Sequence, residues 1–256
     1  MKMGGDKFIK RQIIGINFFS GSEQTTLDVA LKGGLLVAPA APNLANHLIN
    51  SATYRDALIN ADTVIIDSSY LTILWWMRTF ERLRKYSGLA FLRAFLRHKK
   101  KKDKKTMWIM PSEEEKFRTI KCLKSNKIPT RRDDYYIAPV YDHENITDDI
   151  LKNIIENKQP EVIIVGLGGG VQEQLGLFLR RNLSYKPSIF CIGAAIAFLT
   201  GGQGSIPVWA DKLSLGWLFR IIHNPRHFVK RYAKAFKLAS IVFRWKDALP
   251  PLVAPD

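Results

Sequence analysis

The glycine-rich stretch GLGGG at 166–170 is the pattern in this chain best suited to hold a phosphate group. It follows the apolar run 162–165 and precedes a helical pattern that begins near Val171. Glycines let the backbone approach an anion, and the start of a helix directs unpaired N–H groups and a positive dipole end toward it. A strand-to-helix turn without a ligand is the alternative explanation. We predict substrate-binding positions at the glycines of this turn and after the next apolar run: Gly168, Gly169, Gly170 and Gly193.

Two familiar phosphate-binding patterns each lack a required residue here. A dinucleotide site needs an acidic residue about 20 positions after the glycines to hold a ribose, but the next apolar run ends in Cys191-Ile192-Gly193. A Walker loop needs Lys followed by Ser or Thr, and Gln172 and Glu173 stand in that place. Both side chains lie in the first predicted helical turn, where they can hydrogen-bond a sugar. We therefore predict Gln172 and Glu173 as substrate-binding residues.

Asp67 ends the run TVIID and is the candidate catalytic base. A carboxylate at the carboxyl end of a strand lies at the rim of a cleft, and apolar neighbours can make it an effective general base. Ser68 follows it and is predicted to contact substrate. Alternatively, Asp67 is a simple N-cap of the helix that begins near Tyr70.

Asn43 follows a second apolar run, LLVAP, and is predicted to bind substrate. Its place at another strand's carboxyl end brings it near Asp67, although an asparagine here is also a good helix cap. Ser87-Gly88-Leu89 has the same two explanations, a loop with a cap or a turn that lines the cleft.

Short apolar runs alternate with helical patterns along the chain, as expected for parallel strands joined by crossover helices. The runs are apolar on both faces, which favours an α/β fold with a Rossmann-like, doubly wound, mostly parallel sheet. Such a sheet binds ligands at the carboxyl ends of its strands. The predicted strands are 35–38, 63–66, 107–110, 162–165 and 189–192. The predicted helices are 43–60, 69–80, 89–98, 113–126, 145–157, 171–183 and 194–199.

The net charge of +16 over 256 residues would attract nucleic acid, anionic lipid or phosphorylated substrates. A hydrophobic content of 46% excludes a disordered chain. Cys122 and Cys191 are the only cysteines, so a disulfide scaffold and a thiolate metal site are excluded and a reducing cytosol fits. The N-terminus lacks the apolar core of a signal peptide, and no run reaches about 18 uncharged apolar residues. We expect a cytoplasmic protein without a membrane span.

The lysine run HKKKKDKK at 98–105 is typical of a solvated turn. It has no interleaved aromatic residues, so nucleic acid is not an expected partner, whereas an anionic membrane surface would attract it. The histidines are scattered and no Asp-x-Asp motif occurs. We predict no metal site and no cofactor.

The chain changes character after about residue 205, where it becomes helical, basic and aromatic. We divide it into an α/β catalytic domain, 1–204, and a basic amphipathic helical appendage, 205–256. Residues 211–247 contain nine Lys or Arg and two Asp. Their apolar stripe could dock on the domain or lie in a membrane interface, and we favour the membrane. The stripe comprises Phe228, Val229, Tyr232, Phe236, Ala239 and Phe243, and arginines suited to diphosphate oxygens are Arg220, Arg226 and Arg231.

The order of these landmarks resembles the WecG/TagA/CpsF family, glycosyltransferase family 26, which includes N-acetylmannosaminyltransferases of wall teichoic acid and enterobacterial common antigen synthesis. The resemblance extends from about residue 35 to 232. It rests on Asn43, the aspartate of VIIDSS, GLGGGVQE, CIGAAIAFLTG, IPVW, LGWLFR and NPRHFVKRY.

The resemblance implies an inverting, metal-independent transfer of an N-acetylhexosamine from a UDP-sugar to a polyprenyl-diphosphate-linked sugar. The protein would act in cell-surface polysaccharide synthesis, peripherally on the inner face of the cell membrane. The family's catalytic aspartate falls on Asp67, its donor-site asparagine on Asn43, and its glutamine and glutamate on Gln172 and Glu173. Arg220 and Arg231 correspond to arginines of its membrane-attached, cleft-closing appendage. Homo-oligomerisation is left open.

Several residues depart from the family pattern and indicate a divergent branch, so the sugar need not be N-acetylmannosamine. They are Ala41 for threonine, Ser68 for glycine, Gly170 for proline, and Ala197 and Gly216 for acids. The rival hypothesis is a non-catalytic nucleotide-sugar or membrane-surface binding protein of the same fold, and a nicotinamide oxidoreductase is third.

Overall fold

A mostly parallel sheet forms the centre of the computed structural model, which describes residues 8–142, 146–201, 233 and 235–253. Its strands are β1 (Ile9–Ile13), β2 (Ile16–Ser20), β3 (Gly34–Val37), β4 (Thr63–Ile65), β5 (Thr106–Met110), β6 (Tyr135–Ile137), β7 (Val162–Val165) and β8 (Ser188–Cys191). They lie in the order β1-β2-β4-β3-β8-β7-β5-β6. β1 and β2 form an antiparallel hairpin, and every other neighbouring pair is parallel.

Helices cover both faces of this sheet. They are α1 (Glu23–Ala30), α2 (Ala41–Asn50), α3 (Ala52–Ile59), α4 (Ser69–Thr79), α5 (Gly88–Lys101), α6 (Glu113–Ser125), α7 (Asp149–Lys158), α8 (Val171–Asn182), α9 (Ala195–Thr200) and, near the chain end, α10 (Lys237–Trp245). On one face α2, α3, α4, α7, α8 and α10 share an apolar core, and on the other α1, α5, α6 and α9 share a second. The prediction of a doubly wound α/β fold is confirmed.

The central strands contribute side chains to both cores because successive residues of a strand point to opposite faces. In β8, Ile189 and Cys191 lie in the first core while Phe190 between them lies in the second. This explains why these strands are continuous apolar runs in the sequence. All five predicted strands are confirmed.

The sequence analysis missed the hairpin, the short edge strand β6 and helix α1. β1, with the sequence IKRQI, exposes its first four residues and therefore lacks an apolar signal. β6 has three residues, all half-buried, and pairs with β5 alone among the described strands. Strands at the edge of a sheet have a weak hydrophobic periodicity in their sequence, because water solvates much of their surface.

Two predicted helices have the wrong bounds because hydroxyl and carboxyl caps begin new helices. The predicted helix 43–60 is two helices, since α2 ends at Asn50 and Ser51 caps α3 by accepting the Tyr54 N–H at 3.2 Å. The predicted helix 145–157 begins later, where Asp148 accepts the Leu151 N–H at 2.8 Å. A capping side chain satisfies an N–H that has no partner within its own helix.

The end of the chain packs on the α/β layers. α10 lies against α2 and α4, and its Leu238 and Val242 are fully buried in the first core. The hairpin between β1 and β2 donates its Gly15 N–H to the Asp247 carbonyl at 2.9 Å. A truncation near residue 205 would therefore remove part of the core.

The predicted apolar stripe of the appendage docks only in part. Phe236, just before α10, and Phe243 are exposed, whereas Ala239 is partly buried against the first core beside the docked side chains Leu238, Ile241 and Val242. Phe228, Val229 and Tyr232 lie outside the described residues. The boundary at 204/205 and the membrane association of 205–256 stay predictions.

Candidate active site

A cleft lies at the carboxyl ends of four adjacent central strands, β4, β3, β8 and β7. The loops after these strands supply most of its lining, and helices α2, α5, α8 and α9 begin beside it. The positive ends of these helix dipoles are therefore directed toward the cleft. The described residues that line it are Ala38, Ala40, Asn43, Asp67, Leu89, Gly168, Gly169, Gln172, Ile192, Gly193, Ala194, Ala195 and Phe198.

Asp67 lies on the cleft wall and is not the cap of α4. The cap is Ser68, whose hydroxyl accepts the Leu71 N–H at 3.2 Å. Oδ1 of Asp67 instead accepts the N–H of Gly88 at 2.8 Å, from the first turn of α5. This bond joins the loop after β4 to the start of α5 and holds the half-buried carboxylate at the cleft. A carboxylate in the lining of a cleft is compatible with the general-base role predicted for Asp67.

Asn43 is the third residue of α2 and does not cap it, because Ala40 occupies the cap position without a side-chain bond. The Asn43 side chain is buried against Gly169 of the glycine turn. A Cβ at position 169 would overlap the Asn43 amide, so a glycine is required there for this packing. The contact joins the first turn of α2 to the turn after β7.

Gln172 connects the glycine turn to the loop after β8. Its Oε1 accepts the N–H of Gly193 at 2.7 Å, and its Nε2 donates to Oε1 of Glu173 at 3.0 Å. Because the two bonds need an acceptor and a donor respectively, they orient the buried amide uniquely. The Gln172 side chain lines the cleft, and its bonds to Gly193 and Glu173 hold it in place.

Glu173 lies behind the turn, with no exposed surface. Its Oε2 accepts the Gly170 N–H at 2.7 Å, so the carboxylate satisfies a backbone group at the start of α8. Gly170 has φ of 101°, a conformation that favours glycine. Glu173 thus holds both the turn and the Gln172 amide in place, and it is not among the residues that line the cleft.

The groups buried beside Glu173 stay protonated at neutral pH. Burial raises the pKa of the Tyr54 phenol and of the Cys191 thiol well above their ordinary values, and the Glu173 charge raises both further. The Cys191 thiol donates to the Gln172 carbonyl at 3.0 Å. Cys191 is therefore a packing residue of β8 and not a nucleophile.

The family of this chain is known from its similarity to other proteins. A model of the "Glycosyl transferase WecG/TagA/CpsF family" matches residues 11–249. The chain belongs to this family. It is similar to an N-acetylglucosaminyldiphosphoundecaprenol N-acetyl-beta-D-mannosaminyltransferase of Bacillus subtilis (strain 168), with 21% identity over 194 residues, 76% of this chain and 73% of that protein. The chain is a glycosyltransferase.

The structure brings together six of the residues predicted for this glycosyltransferase site: Asn43, Asp67, Gly168, Gly169, Gln172 and Gly193. Three others, Ser68, Gly170 and Glu173, lie beside the cleft, where they cap α4, form the turn and hold the turn, respectively. Arg220, Arg226 and Arg231 lie outside the described residues. The direct roles of all these residues toward substrate stay predictions.

Both explanations of Ser87-Gly88-Leu89 apply, since Ser87 caps α5 by accepting the Ala90 N–H at 3.1 Å and Leu89 lies on the cleft wall. The rest of the apolar lining, Ile192 and Phe198 with several alanines, was not predicted from the sequence. Gly88 allows this approach, because a Cβ there would lie 2.8 Å from the Ile192 carbonyl oxygen. In the motif CIGAAIAFLTG, the helical spacing from Ala195 to Phe198 was the signal that could have indicated lining residues. The same spacing is typical of ordinary core packing.

The lysine run lies at the opposite end of the sheet from the cleft. α5 begins beside the cleft at Gly88 and ends at Lys101, about 20 Å away at 1.5 Å per residue. Lys99 is buried and donates to the Lys104 carbonyl at 2.7 Å, which closes the turn after α5. The run therefore does not supply charge to the cleft.

No grouping of three or more His, Cys, Asp or Glu side chains suited to a metal ion occurs within the described ranges. None of the described helices combines the length and apolar character needed to cross a bilayer.

Substitution of Glu173 tests whether its carboxylate holds the glycine turn and the Gln172 amide in place. In Glu173→Gln one of two donors, the Gly170 N–H or the Gln172 amide, must face an NH₂ group, because Gln keeps a single acceptor oxygen. We expect a loss of unfolding free energy of about 1–3 kcal/mol, measured by urea denaturation. Glu113→Gln, in the first turn of α6, is the matched control, and because its ion pair with Lys116 is exposed it should cost less than about 1 kcal/mol. An unchanged midpoint in Glu173→Gln would disprove the holding role.

Proposed function

We propose that this glycosyltransferase moves an N-acetylhexosamine from a UDP-sugar to a polyprenyl-diphosphate-linked sugar, with inversion at the anomeric carbon and without a metal ion. The observation that carries the proposal is the meeting of Asp67 with the glycine turn of α8 in one cleft. The activity for which the Bacillus subtilis relative is named, N-acetylmannosaminyl transfer to N-acetylglucosaminyldiphosphoundecaprenol, supports the classes of transferred sugar and acceptor.

The glycine turn is the proposed site of the donor diphosphate. Gly168 is exposed, and apart from its chain neighbours no atom of the described residues lies within 4 Å of where its Cβ would be, so a phosphate can approach this backbone closely. The start of α8 places a positive dipole end beside it. The amides of Asn43 and Gln172 face the same cleft and are the proposed partners of the sugar. Arg220 and Arg231 are proposed to reach the diphosphate from the C-terminal segment.

In the proposed reaction the Asp67 carboxylate removes the proton from an acceptor hydroxyl. The oxygen attacks the anomeric carbon as the bond between that carbon and the UDP oxygen breaks, and the electron pair of the broken bond leaves on UDP. A single displacement of this kind inverts the anomeric carbon. The negative charge that develops on the diphosphate is stabilised by the helix start after Gly170. The apolar wall around Leu89 and Phe198 lowers the local dielectric constant and strengthens this stabilisation.

The proposed donor sugar is an N-acetylhexosamine, and the proposal does not choose among its isomers. Gly170 stands where the family commonly has proline, and its φ of 101° is inaccessible to a proline ring, which fixes φ near −65°. The backbone of this turn therefore follows a path that a proline-containing turn cannot follow. N-acetylmannosamine is the first donor sugar to test, and its isomers follow.

The proposed location is the cytoplasmic membrane surface, in cell-envelope polysaccharide synthesis. A polyprenyl-diphosphate acceptor is held in a membrane, so a transferase must work at that surface. The excess of basic residues in 211–247 supports attraction to anionic lipid.

A donor screen tests the proposal. The 256-residue chain is incubated with UDP-linked N-acetylmannosamine, N-acetylglucosamine or N-acetylgalactosamine, with and without a polyprenyl-diphosphate-N-acetylglucosamine acceptor, and released UDP is measured. We expect UDP release from one donor that depends on the acceptor. Folded protein that releases no UDP from any of these donors with acceptor present would refute the proposed donor and acceptor pair.

Chelation tests the proposed metal independence. Among the described lining residues Asp67 is the single carboxylate, so we assign charge stabilisation on the diphosphate to helix starts and arginine in place of Mg²⁺. We expect the same rate of UDP release with and without EDTA. A rate that falls in EDTA and returns with added Mg²⁺ would show that a metal carries this charge.

A further inference from the structure

Helix α4 is apolar on two opposite sides. Its inner side, with Leu71, Leu74 and Trp75, is buried in the first core. A surface helix normally has a polar outer side, yet the outer side of α4 and its C-cap carry four large apolar residues, which we call the α4 stripe: Ile73, Trp76, Met77 and the C-cap Phe80, which are 52%, 43%, 54% and 81% exposed. Spacings of three and four residues place Ile73, Trp76 and Met77 on one side of the helix, and Phe80 directly follows its last residue.

Much of the α4 stripe is exposed, and Phe80 most of all. Phe80 has φ of 57°, a left-handed conformation that a large side chain adopts at a cost, and its ring meets the Trp76 ring edge-on at 6.2 Å. Exposed Phe236 of the C-terminal segment meets Tyr70 edge-on at 6.1 Å and extends the apolar surface beyond the stripe. A continuous apolar surface of this kind is typical of an interaction site.

Basic residues surround the end of the α4 stripe. Arg78 in the last turn of α4 and Arg82 and Arg84 in the loop before α5 are exposed, and Glu81 is the single acid from 69 to 87. Glu81 is engaged by Arg11, with 2.6 Å between Nε and Oε1. The surface therefore combines a tryptophan, a phenylalanine and aliphatic side chains with net positive charge. This combination favours the interface of an anionic bilayer, where aromatic rings enter the headgroup region and arginines meet lipid phosphates.

We propose that the α4 stripe docks this protein on an anionic lipid bilayer. α4 begins at Ser69, two residues after Asp67, and Ile73 lies about 6 Å further along the helix axis. Docking through the α4 stripe places the cleft next to the lipid surface. The lysine run at 98–105, at the opposite end of the sheet, cannot give this orientation. The inference shares with the proposed function an acceptor held in the membrane, but its test measures lipid binding and needs no turnover.

The test is a vesicle co-sedimentation assay with the 256-residue chain. Trp76→Gln/Met77→Gln removes the centre of the α4 stripe while leaving the buried side of α4 unchanged. We expect binding to phosphatidylglycerol vesicles to weaken by about tenfold or more, the effect of losing the burial of one large apolar side chain. Arg78→Gln/Arg82→Gln should weaken binding to phosphatidylglycerol vesicles and leave any binding to phosphatidylcholine vesicles unchanged.

Phe117→Gln is the matched control, since Phe117 is 69% exposed on α6, which packs on the other face of the sheet. It should bind phosphatidylglycerol vesicles like the unmodified chain. Circular dichroism melting of every variant checks that the fold is intact. Equal vesicle binding by the α4 double variant and the unmodified chain would overturn the proposal. A lower sedimentation mass of the double variant in lipid-free solution, with lipid binding retained, would assign the α4 stripe to contact between copies of the chain and would also overturn it.

Discussion

Asp67→Asn is expected to lower UDP release by about 10² to 10⁴ while leaving UDP binding unchanged. The asparagine oxygen can still accept the Gly88 N–H that Oδ1 accepts at 2.8 Å, so the start of α5 keeps its position. What is lost is the carboxylate that removes the acceptor proton. The measurement is acceptor-dependent UDP release at saturating donor, together with UDP affinity by calorimetry.

Asp28→Asn is the control for this experiment, because it removes one exposed carboxylate of α1, a helix whose described residues do not line the cleft. Its rate should equal that of the unmodified chain. Asp67→Ala separates the two roles of the residue, since it removes the acceptor for Gly88 as well and should also lower the melting temperature. If Asp67→Asn releases UDP at an unaltered rate, another group deprotonates the acceptor and the proposed mechanism fails.

The central sheet could be predicted from the sequence because burial on both faces leaves an apolar run. Thr63–Ile65, Val162–Val165 and Ser188–Cys191 have every residue buried. The hairpin Ile9–Ser20 could not be predicted in this way, since β1 is mostly exposed at the sheet edge and is paired through its backbone with β2. Backbone pairing of this kind leaves no regular pattern of side chains.

The sequence predicted which residues lie at the site, but it could not predict the structural role of each residue. A parallel sheet brings strand ends together, so Asn43, Asp67 and Gln172 were expected to meet, and all three line one cleft. Local sequence could not decide whether Asp67 or Ser68 caps α4, because both side chains are good caps. In the structure Ser68 caps α4. Asp67 instead accepts a hydrogen bond from Gly88, which lies 21 residues further along the chain.

The place of Glu173 shows why adjacent residues of one motif can have different tasks. Gln172 and Glu173 differ by 100° around α8, so one side chain reaches the cleft and the other lies beneath the turn. The sequence favours a polar role for both. Burial decides between them, since the fully enclosed Glu173 accepts the Gly170 N–H and cannot at the same time face solvent.

Gly168→Ala is expected to lower UDP affinity by about tenfold or more without changing the melting temperature. No atom of the described residues lies within 4 Å of the added Cβ, and φ at this position is not in the left-handed range, so the fold tolerates alanine. The methyl group instead occupies the exposed side of the turn, where the diphosphate is proposed to approach the backbone. The measurement is calorimetric UDP binding beside thermal melting.

Gly169→Ala is the matched comparison one residue along the chain. Its Cβ would overlap the Asn43 amide, so the buried side chain must move, and we expect a destabilisation of about 1–3 kcal/mol in the urea unfolding free energy. The pair separates two reasons for a glycine, which are packing within the protein at Gly169 and the proposed approach of a ligand at Gly168. UDP affinity that is unaltered in Gly168→Ala would mean that the diphosphate does not lie on this turn, because the added methyl group would then meet nothing in either the free or the bound state.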